Sequence, residues 1–543
     1  MPGRSRLLLE LDLTVAPAMP DPDDPFARFR ARGRHQLGPT LRALHEAASD
    51  SRVAGLIVKV GGRLPWAMAQ ELRLGVREFV ETGKPAVSWA ESFAEGHDMA
   101  AFMLAAACGE VWLQPGGGLG MLGVAVETTF VRGLLDKVGV EPQVEQRWEY
   151  KNAADRLLRT EFTEEHREAL DRLAKSVFDD ALAAIATDRE LEVDRVRELV
   201  ETGPRTAMEA LDAGLVDQVG YRDEVYAAMR SRLGADVTLL FADRWRPRRR
   251  PSKIVRRPGA GYVALVQVRG PIVSGRSRHG PVGRQAGSGT VAAVLRAAAR
   301  DEHARSVLLR VDSPGGSAVA SEVIWREVKR LRDAGTPVIV SMGDVAASGG
   351  YYIACPADVI VALPATLTGS IGVLGGKLVA HELLARLGLT TGSVEHGGRS
   401  LMFSTRRGFS DGERERLAAT IDAIYDDFIT KVAQGRRRPV SEIEGVARGR
   451  VWTGSDAVGA GLVDVLGGLR DAARLAREHA DLPDDAPIRH PVHVPPLRRL
   501  GRAKNSEDPR AQIGAGLPGI TDLAVELGLT AATVLRMPPI TLR

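Results

Sequence analysis

Three short stretches carry side chains able to do chemistry together. The first is Val338-Ile339-Val340-Ser341-Met342, a β-branched apolar run that reads as a buried strand. It leads into Ala346-Ala347-Ser348-Gly349-Gly350, a run of small residues that makes a tight turn before an apolar segment able to begin a helix. A serine at such a strand–turn–helix exposes its hydroxyl as a nucleophile, and the amide after it, that of Gly349, points where an oxyanion would form. A plain glycine-rich turn accounts for this stretch equally well on its own. The second stretch is Arg310-Val311-Asp312-Ser313-Pro314-Gly315-Gly316-Ser317, ahead of a helix from about Ala318. Its glycines let backbone N–H groups approach a ligand closely and offer an oxyanion donor, Gly315 or Gly316. The third is Glu149-Tyr150-Lys151-Asn152, in a chain that otherwise takes its positive charge mostly from arginine. A buried lysine can give up its proton, whereas arginine effectively cannot.

The elements that must position these residues follow an α/β alternation. A strand (Leu7 to Val15), a Pro/Asp-rich loop and an amphipathic helix through Leu41, Leu44 and Ala47 come first. Strand-like runs at Leu56-Ile57-Val58, Pro85-Ala86-Val87 and Val111-Trp112-Leu113 then alternate with helical patterns ending near Val80 and Ala107. Alternation of this kind predicts parallel sheets.

The two halves of the chain repeat one another. Ala107-Cys108-Gly109 matches Ala354-Cys355-Pro356, Phe162-Thr163-Glu164 matches Phe409-Ser410-Asp411, and Ala213-Gly214-Leu215-Val216-Asp217 matches Ala460-Gly461-Leu462-Val463-Asp464. All three pairs lie 247 residues apart (107 and 354, 162 and 409, 213 and 460). Two earlier matches, Arg52-Val53-Ala54 with Arg305-Ser306-Val307 and Gly83-Lys84-Pro85 with Gly335-Thr336-Pro337, keep the same order. The chain therefore reads as a tandem duplication of one α/β domain. At the place of Ser348 the first copy has Ala101, and at the place of Glu149-Tyr150-Lys151 the second copy has no lysine. One copy keeps a serine and the other a lysine, the pattern of a Ser–Lys dyad assembled across the repeats.

These motifs, with Leu367-Thr368-Gly369-Ser370-Ile371-Gly372-Val373 and the duplicated length, resemble the long form of bacterial signal peptide peptidase A (protease IV), in the Clp-protease/crotonase superfamily. The resemblance covers about residues 50–475. It implies a fold of two Clp/crotonase-like β-β-α superhelix domains and the activity of a serine endopeptidase that degrades cleaved signal peptides or similar apolar peptides. It implies Ser348 as nucleophile, Lys151 as its general base, Ser370 orienting the lysine, and amides of Gly349 with Gly315 or Gly316 as the oxyanion hole. It also implies a homo-oligomer, a tetramer by analogy. The family usually carries an N-terminal membrane anchor, and no such segment is seen here.

The domain boundaries expected are an N-terminal strand/helix extension (1–50), a first repeat with the lysine (51–240), a basic Pro/Arg linker (241–260), a second repeat with the serine (261–480) and a C-terminal tail (481–543). The linker, Arg244-Trp245-Arg246-Pro247-Arg248, lacks aromatic interleaving or zinc spacing, so we read it as a solvated spacer with no nucleic-acid partner. Residues 274–290, rich in Gly, Arg and Ser, read as a mobile loop; the tail reads as either docking on a partner or wandering. The chain is 44% hydrophobic and 26% charged with a net charge of +4, ordinary for a globular protein. No signal peptide is seen, and the best apolar window, 511–535, is broken by Pro518, Asp522 and Glu526, so a cytoplasmic protein with at most peripheral membrane contact is expected. Cys108 and Cys355 sit in apolar surroundings, and neither a metal nor a cofactor is expected. Three rivals stand beside the dyad: a Ser-His-Asp protease using His381, an acyl-CoA enzyme of crotonase type, and a catalytically degenerate peptide-binding scaffold.

Overall fold

The computed structural model describes residues 6–19, 35–93, 98–245, 261–280, 283–491, 533–537, 540 and 542. Each repeat is built on a largely parallel sheet. In the first, the strands run in the order Gln218–Val219, Gly109–Leu113, Ala86–Ala90, Val53–Val60, Leu7–Leu13, Thr238–Phe241. In the second, the path is Val451–Thr453, Leu367–Gly369, Val338–Ala347, Ala304–Ser313, Tyr262–Arg269, Ile488–Arg489, with Val359–Ala362 also pairing Val338–Ala347 and, beyond it, Val465–Leu466. Strands such as Val53–Val60 and Ala304–Ser313 are buried along nearly their whole length. Parallel strands covered on both faces have this unalternating apolar character. The larger core of each repeat lies on one face, and a single helix, Arg222–Leu233 or Leu469–Glu478, closes the other.

Several expected boundaries move. Leu7–Leu13 is not part of an extension but an inner strand of the first sheet, parallel to both Val53–Val60 and Thr238–Phe241. It matches Tyr262–Arg269 of the second sheet, between Ala304–Ser313 and Ile488–Arg489. Trp245, at the start of the expected linker, is buried in the first core; the rest of that linker, 246–260, lies outside the described residues, as do 20–34 and most of the 511–535 window. The segment 274–290 is not a loose loop: Arg278–Gly280 and Gly283–Gly287 pair antiparallel, and Ser288 opens the helix Ser288–Arg300. Its small residues serve close backbone packing, which a composition-based reading takes for mobility. Of the tail, Ile488–Arg489 ends the second sheet, and Thr533–Arg536 pairs antiparallel with both Gly315–Ser317 and Leu374–Gly375.

The repeats lock together through buried polar contacts. The helix Trp66–Val80 of the first repeat meets the second-repeat strand Val338–Ala347: the Met68 amide donates to Asp344 Oδ1 at 3.0 Å, and Arg310, from the glycine-turn motif, pairs with Glu71 at 2.7 Å. Both members of that ion pair are buried, and truncating either would strand a charge in the interior. The strand Glu141–Gln146 then leaves the first repeat and pairs antiparallel with Leu374–Val379 of the second. That crossing carries the Lys151 segment over.

Candidate active site

Ser348 ends the strand Val338–Ala347 and precedes the short helix Gly349–Ala354. Its backbone is at φ 54°, ψ −113°, a conformation that an L-residue adopts only under strain, as catalytic turns often do. The turn is held from both sides. The Ser348 amide donates to Gly369 O at 2.8 Å, and the Tyr352 amide donates to Ser348 O at 2.8 Å. The register Val345↔Leu367, Ala346↔Thr368, Ala347↔Gly369 sets the end of Leu367–Gly369 beside the turn and delivers Ser370, also at positive φ, next to Ser348.

Lys151 arrives from the other repeat. The Arg147 amide donates to Val373 O at 3.1 Å, and its guanidinium bonds Asp422 and, at 2.9 Å, Ala418 O. Glu149 pairs with Arg448 at 2.8 Å, and the Arg450 guanidinium lies over the Tyr150 ring. These contacts clamp the segment to the second repeat on either side of the lysine. Lys151 itself has no exposed surface. Its Nζ lies 2.9 Å from Ser348 Oγ, 3.0 Å from Ser370 Oγ and 3.1 Å from the Ser370 carbonyl oxygen. Burial away from water disfavours the ammonium and lowers its pKa from the ordinary 10.5 to about 7.

The glycine turn abuts the serine. A Cβ on Gly349 would lie 2.7 Å from Ser321 Oγ and 3.1 Å from both Gly315 Cα and Gly316 N, so only glycine lets the two backbones meet. The Gly315 amide already donates to Ser313 Oγ at 3.2 Å. The residues singled out for the dyad and its oxyanion hole are brought together: Ser348, Lys151 and Ser370 by hydrogen bonds, and Gly349 against Gly315 and Gly316. His381 stands apart from them, exposed at the first position of His381–Arg386. In the first repeat Ala101 lies buried in the helix Met99–Ala106, with no hydroxyl to offer. Cys108 and Cys355 are buried thiols, with burial pushing both up, Cys355 to about 12. Among the described residues no cluster of His, Cys, Asp and Glu is arranged to hold a metal.

One residue of the site escaped the sequence reading. Gly449 sits against the lysine backbone, where a Cβ would lie 2.5 Å from Lys151 Cα. Its signal is weak, a glycine in Arg448-Gly449-Arg450 with nothing local to explain it.

A protein-family model described as "Peptidase family S49" matches residues 78–236 and 330–483, one segment in each repeat. "Protease 4" of Salmonella typhi is 32% identical over 88% of this chain and 79% of its own. "Serine protease SPPA, chloroplastic" of Arabidopsis thaliana is 32% identical over 83% of this chain and 67% of its own. Among solved structures, a ClpP1 variant from Listeria monocytogenes aligns with a TM-score of 0.25 and 15% identity, covering 38% of this chain and 94% of that one. Among the described residues no helix is long and apolar enough to cross a membrane. Because the family model recurs on both sheets, and relatives match at 32% identity along most of the chain, the tandem α/β protein belongs to peptidase family S49 and is a serine protease.

Proposed function

We propose that the protease works through a Ser–Lys dyad built across the two repeats, with Ser348 as nucleophile and Lys151 as general base. The observation that carries this reading is the 2.9 Å approach of Lys151 Nζ to Ser348 Oγ in a fully buried setting. A neutral amine has two N–H groups and one lone pair. With its hydrogens on the Ser370 carbonyl and Ser370 Oγ, the lone pair is left for the Ser348 proton.

In this reading Lys151 takes the Ser348 hydroxyl proton as Oγ bonds to the peptide carbonyl carbon. The oxyanion is held by the amides of Gly349 and Gly316; Gly316 is preferred to Gly315 because the latter donates to Ser313. The C–N bond breaks as Lys151 returns the proton to the departing amine. Water then attacks the acyl-serine, giving a proton to Lys151; Lys151 passes it to Ser348 Oγ as the C–Oγ bond breaks, which releases the carboxylic acid and restores free Ser348 and the neutral amine. Ser370 is a positioning residue that aims the amine.

The substrates proposed are cleaved signal peptides or similar apolar peptides. "Putative signal peptide peptidase SppA" of Enterococcus faecium, 34% identical over 35% of this chain, supports this class. A cytoplasmic homotetramer in peripheral contact with the membrane would meet such peptides. Labelling by a serine-reactive phosphonate tests the chemistry: one adduct at Ser348, absent from Ser348→Ala and slowed in Lys151→Ala, is expected. A wild-type chain that neither labels nor cleaves peptides would return the scaffold reading, and retention on immobilised coenzyme A would favour the acyl-CoA reading.

A further inference from the structure

The segment that carries Lys151 is held a second time, four residues further on. Asp155 opens the short helix Asp155–Leu158, and its Oδ2 lies 3.2 Å from Nδ1 of His166, with both side chains buried. The Gln146 side-chain amide reaches the other carboxylate oxygen at 3.4 Å, and the Val131 amide donates to Arg156 O at 2.8 Å. His166 lies in the first turn of the helix Glu164–Arg189, where Thr163 Oγ1 accepts from its backbone amide. Its ring meets Phe162 edge-on at 5.0 Å, with Phe130 beyond. In that apolar setting a carboxylate stripped of the imidazole would be left buried with one long contact, which is costly.

The helix that carries His166 is itself fastened to the second repeat. Ser176 and Thr453 share a buried hydrogen bond at 2.7 Å, and Arg172 pairs with Asp456. Thr453 lies on Val451–Thr453, which pairs antiparallel with Leu367–Gly369, the strand that delivers Ser370. A continuous frame therefore runs from Lys151 through Asp155, His166 and Thr453 back to Ser370. It is separate from the Arg147 and Glu149 contacts that clamp the approach to the lysine.

The second repeat closes the same four positions with different chemistry. Phe130, Asp155, Phe162 and His166 correspond, 247 residues on, to Lys377, Met402, Phe409 and Glu413. There Lys377 Nζ donates to Met402 O at 2.7 Å and lies over the Phe409 ring, while Glu413 pairs with Arg407. Of the two forms, the buried Asp–His pair is the one that stands four residues from the lysine.

We propose that His166 is a positioning residue for Lys151: paired with Asp155, it fixes the segment at the depth that keeps the amine out of water and against Ser348. The catalytic consequence rests on the Ser–Lys reading; the latch itself does not.

The test compares full chains carrying His166→Leu, which removes the pairing, and His166→Asn, whose side-chain amide can stand near Nδ1 and does not titrate. On a short apolar fluorogenic peptide amide, His166→Leu is expected to lower kcat about tenfold, the scale of loss for a slightly misplaced catalytic group, with KM nearly unchanged. Water reaching the amine eases the burial that holds its pKa at about 7, so the half-plateau pH of kcat/KM is expected to rise by about one unit. His166→Asn is expected to recover most of both. Wild-type kcat and midpoint in His166→Leu overturn the proposal; so does a fall in kcat with the midpoint unmoved, which a merely loosened helix would give. An asparagine no better than leucine overturns the pairing as the cause. Where His166→Leu loses cooperative melting, Asp155→Asn takes its place, with the same expected and overturning results for kcat and midpoint.

Denaturation reads the lysine without catalysis. Between pH 6 and 10 the stability of the wild type is expected to climb relative to Lys151→Met, and the climb is expected to be smaller when both chains carry His166→Leu. An equal climb in the two backgrounds overturns the latch. A smaller climb with His166→Leu, in a protein whose wild type cleaves no peptide, would sink the Ser–Lys reading and leave the latch standing.

Discussion

Gly449 presses on the backbone of Lys151: a Cβ there would lie 2.5 Å from both Lys151 Cα and N, and Gly449 itself sits at φ 84°. The second repeat thus leaves a side-chain-free surface for the lysine brought in by the first. Gly449→Ala should displace the amine by a fraction of an ångström to an ångström and lower kcat by roughly 10²-fold, the scale of loss for such misplacement. A matching loss of activity with the thermal transition nearly kept would bear this out. Full activity in Gly449→Ala would show that the lysine tolerates the shift.

The pH profile follows from the lysine's protonation. In the proposed dyad only the neutral amine can accept the Ser348 proton, and the pKa of Lys151 is lowered to about 7 by burial. Activity should therefore rise with pH, with kcat/KM reaching half its plateau near pH 7. A profile that is flat or falling between pH 6 and 8 would contradict a lysine base.

The same shift predicts a stability difference. Between about pH 7 and 10.5 the unfolded chain carries a proton on this amine and the folded chain does not, so raising the pH favours the folded state across that window. Below about pH 7 both forms are protonated and the burial penalty applies in full; above 10.5 both are neutral and it is gone. Lys151→Met removes the term. Denaturation of the two proteins from pH 6 to 10 should show wild-type stability climbing relative to Lys151→Met, and a constant difference would mean that the amine titrates normally.

Ser370 gives the lysine both its hydroxyl and its carbonyl. Ser370→Ala removes the hydroxyl contact, with an expected loss of about 1.5–3 kcal/mol in transition-state stabilisation, or roughly 10–100-fold in kcat. KM should change little, because Ser370 contacts the lysine that the proposed dyad uses as its base. A change confined to KM would place Ser370 among substrate contacts instead.

The parts of this site legible in the sequence are those written as local chemistry. The Ala346–Gly350 turn, the Gly315-Gly316 pair and the Thr368–Val373 stretch each announce a backbone that must turn sharply or meet another closely. Lys151 became legible through the duplication, since its counterpart region lost the lysine while Ala101 took the serine's place. What stayed hidden depends on contacts between residues more than 200 positions apart. Gly449 against Lys151, Arg147 on Asp422 and Arg310 on Glu71 leave no periodicity and no motif. The inner position of Leu7–Leu13 was hidden for a related reason: repeat matching begins at Arg52, after the strand that the sheet places between Val53–Val60 and Thr238–Phe241.

The most direct measurement is the hydrolysis of a short apolar fluorogenic peptide amide by wild type, Ser348→Ala, Lys151→Ala and Lys151→Arg. Wild-type activity lost by roughly 10⁴-fold or more in all three variants is the predicted result, because in the proposed dyad the serine and lysine act as a unit and arginine cannot serve as a base. Activity surviving in Lys151→Ala would remove the cross-repeat dyad and require another base for Ser348.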